Sequence, residues 1–287
     1  MKKNLSTIIL VFIFFVGVSV FLYPTISDYW NSKTQSRAIV DYEKLLKEMT
    51  PEDYTAFLDA ANSYNKLLQK TTFPLKDFDD VEGYEEILNV TGDGIMGYIT
   101  IDKIKVELPI YHGISDPVLN VAVGHLEGSS LPVGGESTHA ILSAHRGLPR
   151  AKLFTDLDKL EIGDVFSITV LDQVLTYEID QILIVEPDEV QALRVEEGMD
   201  YCTLLTCTPY GINTHRLLVR GVRTETVGKK PVIYVTNDAF IIDPIIVTPV
   251  VAAPMLFILL IVLLVKYRTK ERVVKGKKKD EKNKKNH

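Results

Sequence analysis

Hydrophobic positions divide the chain of 287 residues into stretches with different patterns. Two uncharged apolar runs lie near its ends, at residues 5–23 and 245–265, and they are 19 and 21 residues long. Between them, apolar residues recur every three to four positions over residues 37–68, and they form short runs after residue 94. The first spacing predicts amphipathic helix, and the short runs predict β-strands.

The two apolar runs have the length of membrane-spanning helices, which need about 20 apolar residues. Neither run shows the polar stripe that a helix in a soluble core keeps. A cleaved signal peptide is the alternative for residues 5–23, but the run exceeds the usual apolar core of a signal peptide and no A-x-A-like site follows it. We therefore predict an uncleaved signal anchor at 5–23 and a second span at 245–265.

The distribution of charge predicts the topology of the chain. Its formal net charge of -6 is an average, because residues 266–287 carry eleven Lys or Arg and only three Asp or Glu. Lys2 and Lys3 precede the first run. Basic flanks stay on the cytoplasmic side of a membrane, so both termini are expected inside and residues 24–244 outside.

The external segment carries 19 basic and 35 acidic side chains. A nucleic-acid binder needs a clustered cationic face to neutralise phosphates, so this composition argues against that class of partner. Membrane lipid is the expected partner of the ends of the chain. The Lys-rich tail is suited to anionic headgroups, although a simple stop-transfer anchor explains it equally well.

The helical stretch contains a signal for two helices. Thr50 is followed by Pro51 and then by Glu52 and Asp53, which is the order of an N-cap, a first-turn proline and acidic first-turn residues. A second helix is therefore expected to begin at Pro51. The apolar face of this extension is expected to pack on the domain that follows.

Short β-like runs separated by Gly, Pro and Asp fill the region after residue 94. Regular spacing of such runs is typical of a sandwich or a closed barrel. The runs are MGYITI, VELPIY, THAILSA, DVFSITVL, VLTYEIDQILIV, YCTLLTC and HRLLVRGV.

The two cysteines, Cys202 and Cys207, lie in one of these runs. Five residues of strand separate their Cα atoms by about 16 Å, and the odd offset places their side chains on opposite faces. Disulfide-bonded Cα atoms lie about 4.4–6.8 Å apart, so we expect two free thiols. A free thiol in an external domain suggests a catalytic cysteine.

A catalytic thiol acts through its thiolate, which a neighbouring base or cation favours. In THAILSAHRG, His139 and His145 share a face, so periodicity does not choose between them, but His145 lies where the apolar run ends. In THRLLVRG, His215 is in phase with the core and Arg216 alternates to the other face. Cys207, His145 and Arg216 form the candidate set. The histidines of the external segment are His112, His125, His139, His145 and His215.

Several motifs resemble the sortases, the cysteine transpeptidases of Gram-positive surfaces. TLLTC at 203–207 matches their TLxTC signature, and SAHRGLP and CTPYGINTHRLLVRG are similar to the segments with their catalytic histidine and arginine. The resemblance covers about 92–223 and is closest to class C, the pilin polymerases. Further agreement comes from GDGIMGYITI, LPIYHG, GHLEGSSLPVGG and KLFTDLDKLEIGD.

The resemblance implies a mainly β fold, an eight-stranded β-barrel with the catalytic residues at one rim. Cys207 would attack the Thr carbonyl of an LPxTG-like signal to give a thioester, His145 would serve as acid and base, and Arg216 would hold the oxyanion. Leu205 and Thr206 would contact the substrate. The expected acceptor is a lysine of a pilin, the expected partners are pilin subunits or other surface proteins with such signals, and no cofactor is expected.

One departure from class C concerns the lid that plugs the active site in that class with an Asp-Pro-aromatic motif. Here TTFPLKDFDDVEGYEE places Asp77 directly before Phe78, without the proline. The two residues are candidates for an altered lid, and an ordinary acidic linker is the alternative.

Other classes of function remain open. Within the family, the alternative is a housekeeping sortase that attaches proteins to peptidoglycan. A non-catalytic, membrane-anchored surface binding protein is the alternative from another class. A protein of that class that is itself a sortase substrate would need an LPxTG-type motif before the second apolar run, and none is present. The C-G-[SA]-C-[WY] signature of papain-like proteases is absent, as are H-x-x-x-H and C-x-x-C pairs for a metal.

The sequence thus predicts a mainly β catalytic domain with a helical extension and a membrane helix at each end. The predicted segments are a signal anchor at 5–23, a helical extension at 24–68, a lid or linker at 69–91, the β-barrel at 92–225, a linker at 226–244, a second span at 245–265 and a basic cytoplasmic tail at 266–287.

Overall fold

The computed structural model describes most of the chain: residues 2–70, 75, 83–149, 151–226 and 257. The candidate lid residues Asp77 and Phe78 lie outside the described residues. So do the tail and, apart from Phe257, the predicted second span. Residues 26–226 belong to one compact unit, and residues 2–25 belong to another.

The N-terminal helix α1, Lys2–Leu46, contains the first apolar run. Of the described residues, only this helix is long and apolar enough to cross a membrane, over Ile13–Leu46, and its most apolar window is not buried by the rest of the protein. A membrane-anchoring helix at the N-terminus is consistent with these properties.

The second helix, α2, spans Pro51–Leu68 and begins where the sequence predicts. The side chain of Thr50 accepts a hydrogen bond from the backbone N–H of Asp53, and the Asp53 carboxylate accepts one from the backbone N–H of Thr50. This capping box satisfies backbone donors that the first turn leaves without partners.

Both helices pack on the β domain through the apolar faces predicted from the sequence. Tyr42 is fully buried, and its hydroxyl donates to Met96 O (2.9 Å) and accepts from the backbone N–H of Leu171 (2.9 Å). On α2, Ala61, Tyr64 and Leu68 join the same apolar core. The C-terminal part of α1 and the whole of α2 therefore form an integral layer of the β domain.

Eight strands close into a barrel in the order β1-β2-β3-β4-β7-β8-β6-β5. This confirms the eight-stranded barrel that the sequence motifs imply. The strands are β1 Ile95–Ile101, β2 Val106–His112, β3 Val123–His125, β4 Thr138–Ser143, β5 Val165–Val170, β6 Gln173–Val185, β7 Asp200–Thr208 and β8 His215–Thr224. A short helix, α3 (Asp116–Leu119), precedes β3.

Two of the strand pairings are parallel, β2 with β3 and β4 with β7, and the others are antiparallel. The β4–β7 pairing brings the centre of the chain beside the strand that carries both cysteines. Because β8 pairs with β7 on its other side, β7 lies between the strand before His145 and the strand with Arg216.

Alternation along β7 separates an inner and an outer face. Cys202 and Leu204 are fully buried in the barrel core with Val219 of β8. Leu205 and Leu218 lie on the outer face, in a separate apolar cluster. The outer face of β7 also carries Cys207, because side chains two positions apart share a face.

Candidate active site

Cys207 lies near the end of β7, directly opposite Arg216 of β8 in the antiparallel register. Directly opposed residues of an antiparallel pair project to the same face with Cα atoms about 4.5–5.5 Å apart. Both side chains are partly exposed. The hairpin register therefore places the thiol and the guanidinium side by side on the outer face.

His145 reaches the same place from β4. The parallel ladder ends with Ser143 opposite Leu205, and the backbone N–H of Ala144 still donates to Leu205 O (3.2 Å). The ladder stops there, and His145 follows two residues later, just beyond Ala144, whose carbonyl accepts a hydrogen bond from Thr206 Oγ1 (2.8 Å) next to Cys207. The structure thus places Cys207 and Arg216 opposite each other and brings the segment that carries His145 to the same end of the barrel.

An apolar cluster adjoins this rim, and we refer to it as the outer apolar patch. Its buried members come from β4, β8 and the short 3-10 helix Gln191–Leu193, and partly buried residues surround them. Leu75, from the predicted lid segment, packs against it. The patch consists of Ile141, Leu193 and Leu218, with Leu75, Leu126, Leu183, Val185, Ala192 and Leu205 around them.

The β6–β7 loop is fixed beside the patch by polar contacts. Arg220 lies over the ring of Tyr201 at 4.1 Å, and its terminal nitrogens bind Asp180 (2.7 Å) and Glu196 (3.3 Å). His139 is buried, and its ring nitrogens contact Arg194 O (2.9 Å) and the hydroxyl of Thr203 (2.7 Å). His139 of β4 therefore links Thr203, the first Thr of TLLTC, to this loop.

The two predicted substrate contacts differ in position. Leu205 belongs to the outer apolar patch, next to Cys207 along the face. Thr206 is 1% exposed and faces inward, where its hydroxyl donates to Ala144 O (2.8 Å) and so ties β7 to the end of β4. This inward orientation does not favour a direct contact between Thr206 and a substrate. The contact stays a prediction.

Cys202 and Cys207 are both free, as predicted. Cys202 is fully buried, and burial raises the pKa of its thiol well above the ordinary value because a thiolate is poorly solvated there. Cys202 is therefore a protonated core residue, and Cys207 is the thiol that a substrate can approach.

Two other histidines are structural. His125 is fully buried between the Tyr84 hydroxyl (2.9 Å from Nδ1) and Ser130 O (2.9 Å from Nε2). Burial lowers its pKa to about 4 and also lowers the pKa of His139. Both rings are consequently neutral near pH 7 and are packed away from the rim.

The buried His125 gives the fold a measurable pH dependence. Its folded pKa is depressed, so between about pH 6.5 and pH 4 the unfolded chain binds the extra proton and stability falls as the pH falls. We expect His125→Asn to remove about 3 kcal/mol of the decrease in unfolding free energy between pH 7 and pH 4. Urea unfolding at both pH values measures this change. An identical pH dependence in the variant and the wild-type protein would contradict it.

The described residues contain no group of three or more His, Cys, Asp or Glu side chains arranged to hold a metal ion. The chemistry of the rim is that of a thiol, an imidazole and a guanidinium. Such a set can supply a nucleophile, an acid and base, and a fixed cation for a developing oxyanion. The geometry is suited to acyl transfer.

One stretch of the sequence acquires a role only in the structure. KLFTDLDKL packs against the residues around His145: the backbone N–H of Phe154 donates to His145 O (3.1 Å), and Thr155 Oγ1 accepts from the backbone N–H of Gly147 (3.0 Å). Arg146 pairs with Asp158 of the same stretch (2.6 Å). No periodicity in the sequence points to these contacts, since they join two irregular segments.

Comparison with known proteins assigns the family. Residues 99–224 match the sortase domain. A sortase A from Streptococcus agalactiae is 30% identical over 135 residues, which are 46% of this chain and 54% of that protein, so the match spans about half the length of this relative.

Two solved structures are more similar. Sortase C1 from Streptococcus agalactiae is 48% identical with a TM-score of 0.61, and the match covers 66% of this chain and 98% of that one. Sortase C from Streptococcus pneumoniae is 42% identical with a TM-score of 0.59, and the match covers 66% and 97%. The barrel, its rim and these similarities together show that the chain belongs to the sortases, a family of cysteine transpeptidases, and that it is of class C.

Proposed function

We propose that the protein cleaves an LPxTG-like sorting signal between Thr and Gly and joins the acyl group to a lysine amine of a pilin, building covalent pili. The observation that carries this proposal is the register that places Cys207 opposite Arg216 and next to the end of β4, which leads to His145. The partly buried residues at the edge of the outer apolar patch, such as Leu205, supply a surface for the apolar residues of a signal peptide.

The first half of the reaction forms an acyl-enzyme. His145 takes the proton of the Cys207 thiol, Sγ attacks the carbonyl carbon of the substrate Thr, and the Arg216 guanidinium stabilises the charge on the resulting oxyanion. The C–N bond to Gly then breaks, and His145 gives a proton to the departing amine. A thioester on Cys207 remains.

The second half transfers the acyl group to an amine. A lysine amine attacks the thioester carbonyl, His145 accepts its proton, and the C–S bond breaks to regenerate Cys207. The product is an isopeptide bond between two proteins. Every group that this cycle needs is supplied by the substrate, the acceptor and the three rim residues, so it runs without a cofactor.

A pilin as the partner is supported by similarity within class C. The sortase C from Streptococcus pneumoniae, 42% identical to this chain, has pilin substrates. The alternative within the family is a housekeeping sortase, whose acceptor amine belongs to peptidoglycan. The two proposals share the acyl-enzyme and differ only in the nucleophile that resolves it.

The proposed lid lies upstream of the barrel in residues 69–91. Leu75 of this segment already packs on the outer apolar patch. In this proposal Asp77 approaches Arg216 or the thiol, and Phe78 covers the cleft. An ordinary acidic linker, the alternative, would leave the rate of acylation unchanged when both side chains are removed.

The proposed topology places the catalytic domain outside the cell between two spans. The apolar N-terminal part of α1 supports the first span, and the Lys-rich tail supports an internal C-terminus. In this arrangement the membrane lipid holds the domain at the surface from which signal-bearing pilins emerge.

An acylation experiment tests the proposed function. Full-length protein in detergent is incubated with an LPxTG-type peptide, and intact-mass spectrometry measures the acyl adduct on Cys207. We expect an adduct that hydroxylamine removes, and a faster one in the Asp77→Ala/Phe78→Ala variant if the lid closes the cleft. Absence of any adduct in both proteins would contradict the transpeptidase proposal.

A second assay separates the two acceptors. Candidate pilin subunits with the sorting signal are added to the protein, and covalent multimers are examined by denaturing electrophoresis and peptide mapping. Lysine-linked multimers support the pilin polymerase. Acyl-enzyme that is resolved only by peptidoglycan-derived amines would favour the housekeeping alternative.

A further inference from the structure

Arg146, the residue after His145, is a buried charged residue near the rim that has no part in the proposed reaction. Arg146 belongs to SAHRGLP, and its side chain is 6% exposed although it carries a charge. Long charged side chains are seldom buried unless they are paired. Its contacts therefore indicate what it holds in place.

Arg146 joins three segments below the rim. Nη2 binds the Asp158 carboxylate at 2.6 Å, and Nη1 makes a longer hydrogen bond of 3.4 Å to Thr208 Oγ1. The guanidinium also lies over the ring of Tyr210 at 5.8 Å. Thr208 directly follows Cys207, and Arg146 directly follows His145. The hydrogen bond between Arg146 and Thr208 therefore joins the two residues that follow the reacting side chains.

The packing around this contact leaves little space for movement. Gly147 has a positive φ of 74°, and a Cβ there would lie 2.8 Å from the Tyr210 ring, so glycine lets the β7–β8 loop close onto this segment. Nε of Arg146 is buried without a hydrogen-bond partner in the described part of the chain. The arginine is therefore held through its two terminal nitrogens, one directed to Asp158 and one to Thr208.

We propose that Arg146 is a positioning residue, which holds His145 in register with Cys207 by binding Asp158 and Thr208 from below. This inference rests on the proposed acyl transfer. It assigns a role to the KLFTDLDK stretch, because Asp158 and Thr155 fix the His145 segment from that side. Thr208 alternates to the face opposite to the Cys207 side chain, so Arg146 binds β7 on the side away from the thiol.

Small errors in position have large effects on rate, since a displacement of about 1 Å can cost about 100-fold. For Arg146→Met we expect kcat for acylation to fall at least about tenfold, with KM for the peptide little changed, because the outer apolar patch is untouched. Arg146→Lys is expected to recover part of kcat, because an ammonium can pair with Asp158 but cannot also reach Thr208. Asp158→Asn is expected to show a smaller loss in the same direction.

Alkylation of Cys207 by iodoacetamide provides a readout that needs no peptide substrate. The thiolate fraction depends on a neighbouring base, so displacement of His145 should slow alkylation in Arg146→Met toward the rate of His145→Asn. Lys159→Met removes a charge from the same stretch, where Lys159 is 66% exposed and pairs with Asp156, and it is the matched control. It should leave both rates unchanged.

The outcomes are separable. If Arg146→Met retains the wild-type kcat and alkylation rate, even with a lower Tm, the residue is merely structural and the inference is overturned. If the wild-type protein forms no acyl adduct, the proposed function fails, and the alkylation rates alone decide the role of Arg146. If Arg146→Met does not fold, as circular dichroism would show, the decision rests on Arg146→Lys and Asp158→Asn.

Discussion

Replacing Cys207 with alanine is expected to abolish acyl-enzyme formation and peptide cleavage. The thiolate is the atom that forms the covalent intermediate, and alanine offers no replacement nucleophile. We expect at least about a 10⁴-fold loss, which places the residual rate at or below detection. Intact-mass spectrometry after incubation with an LPxTG-type peptide measures the adduct, and cleavage of a fluorogenic version of the peptide measures turnover.

The chain offers its own control for this experiment. Cys202 lies on the same strand but is fully buried, with the pKa of its thiol raised by burial. Cys202→Ala should keep the adduct and lose only some stability, because a small apolar residue replaces another in the core. An adduct that persists in Cys207→Ala, or one that disappears in Cys202→Ala while the protein stays folded, would show that the nucleophile has been misassigned.

Replacing Arg216 with lysine is expected to lower kcat by about 100- to 1,000-fold, the usual effect of losing an oxyanion-hole donor. Lysine keeps the charge, but it lacks the planar fork that can donate to the carbonyl oxygen from a fixed position. The backbone of β8 should be unaffected, because the Arg216 side chain is partly exposed at the end of the strand. Single-turnover acylation with the peptide measures the effect.

Two comparisons sharpen this prediction. Iodoacetamide should still alkylate Cys207 in Arg216→Lys, since that reaction forms no carbonyl oxyanion. His215→Asn alters the adjacent residue, which contacts Glu186 at 3.2 Å, and should retain activity. Equal acylation rates for Arg216→Lys and the wild-type protein would contradict a role for the guanidinium in the transition state.

The sequence predicts the two long helices and seven of the eight strands because their patterns are local, whereas the four residues of α3 are too few to show a helical period. The Thr50–Pro51 signal places the start of α2 correctly. Strand β3, Val123–His125, is absent from the pattern because three residues are too few to show an alternation. The barrel itself supports this short strand, since β3 pairs with β2 on one side and β4 on the other.

The sequence predicts some residues of the candidate site but not all of its contacts. Opposite faces for Cys202 and Cys207 follow from strand parity, and motif spacing brings Arg216 into consideration. Parity does not separate His139 from His145, however, and only the contact with Arg194 O in the structure shows that His139 is anchored to the β6–β7 loop. Arg146 and Asp158 could not be paired from the sequence, because their contact depends on how two irregular segments fold over each other.

The parallel pairing of β4 with β7 has a consequence for the order in which the enzyme becomes competent. Cys207 and Arg216 lie on one hairpin and can meet by local folding, whereas the contacts between the ends of β4 and β7 join residues 62 positions apart. Long-range pairings form more slowly than local ones. During folding we therefore expect the thiol to meet its arginine first and its histidine last, so that the chain is protected against premature acylation until the barrel has closed.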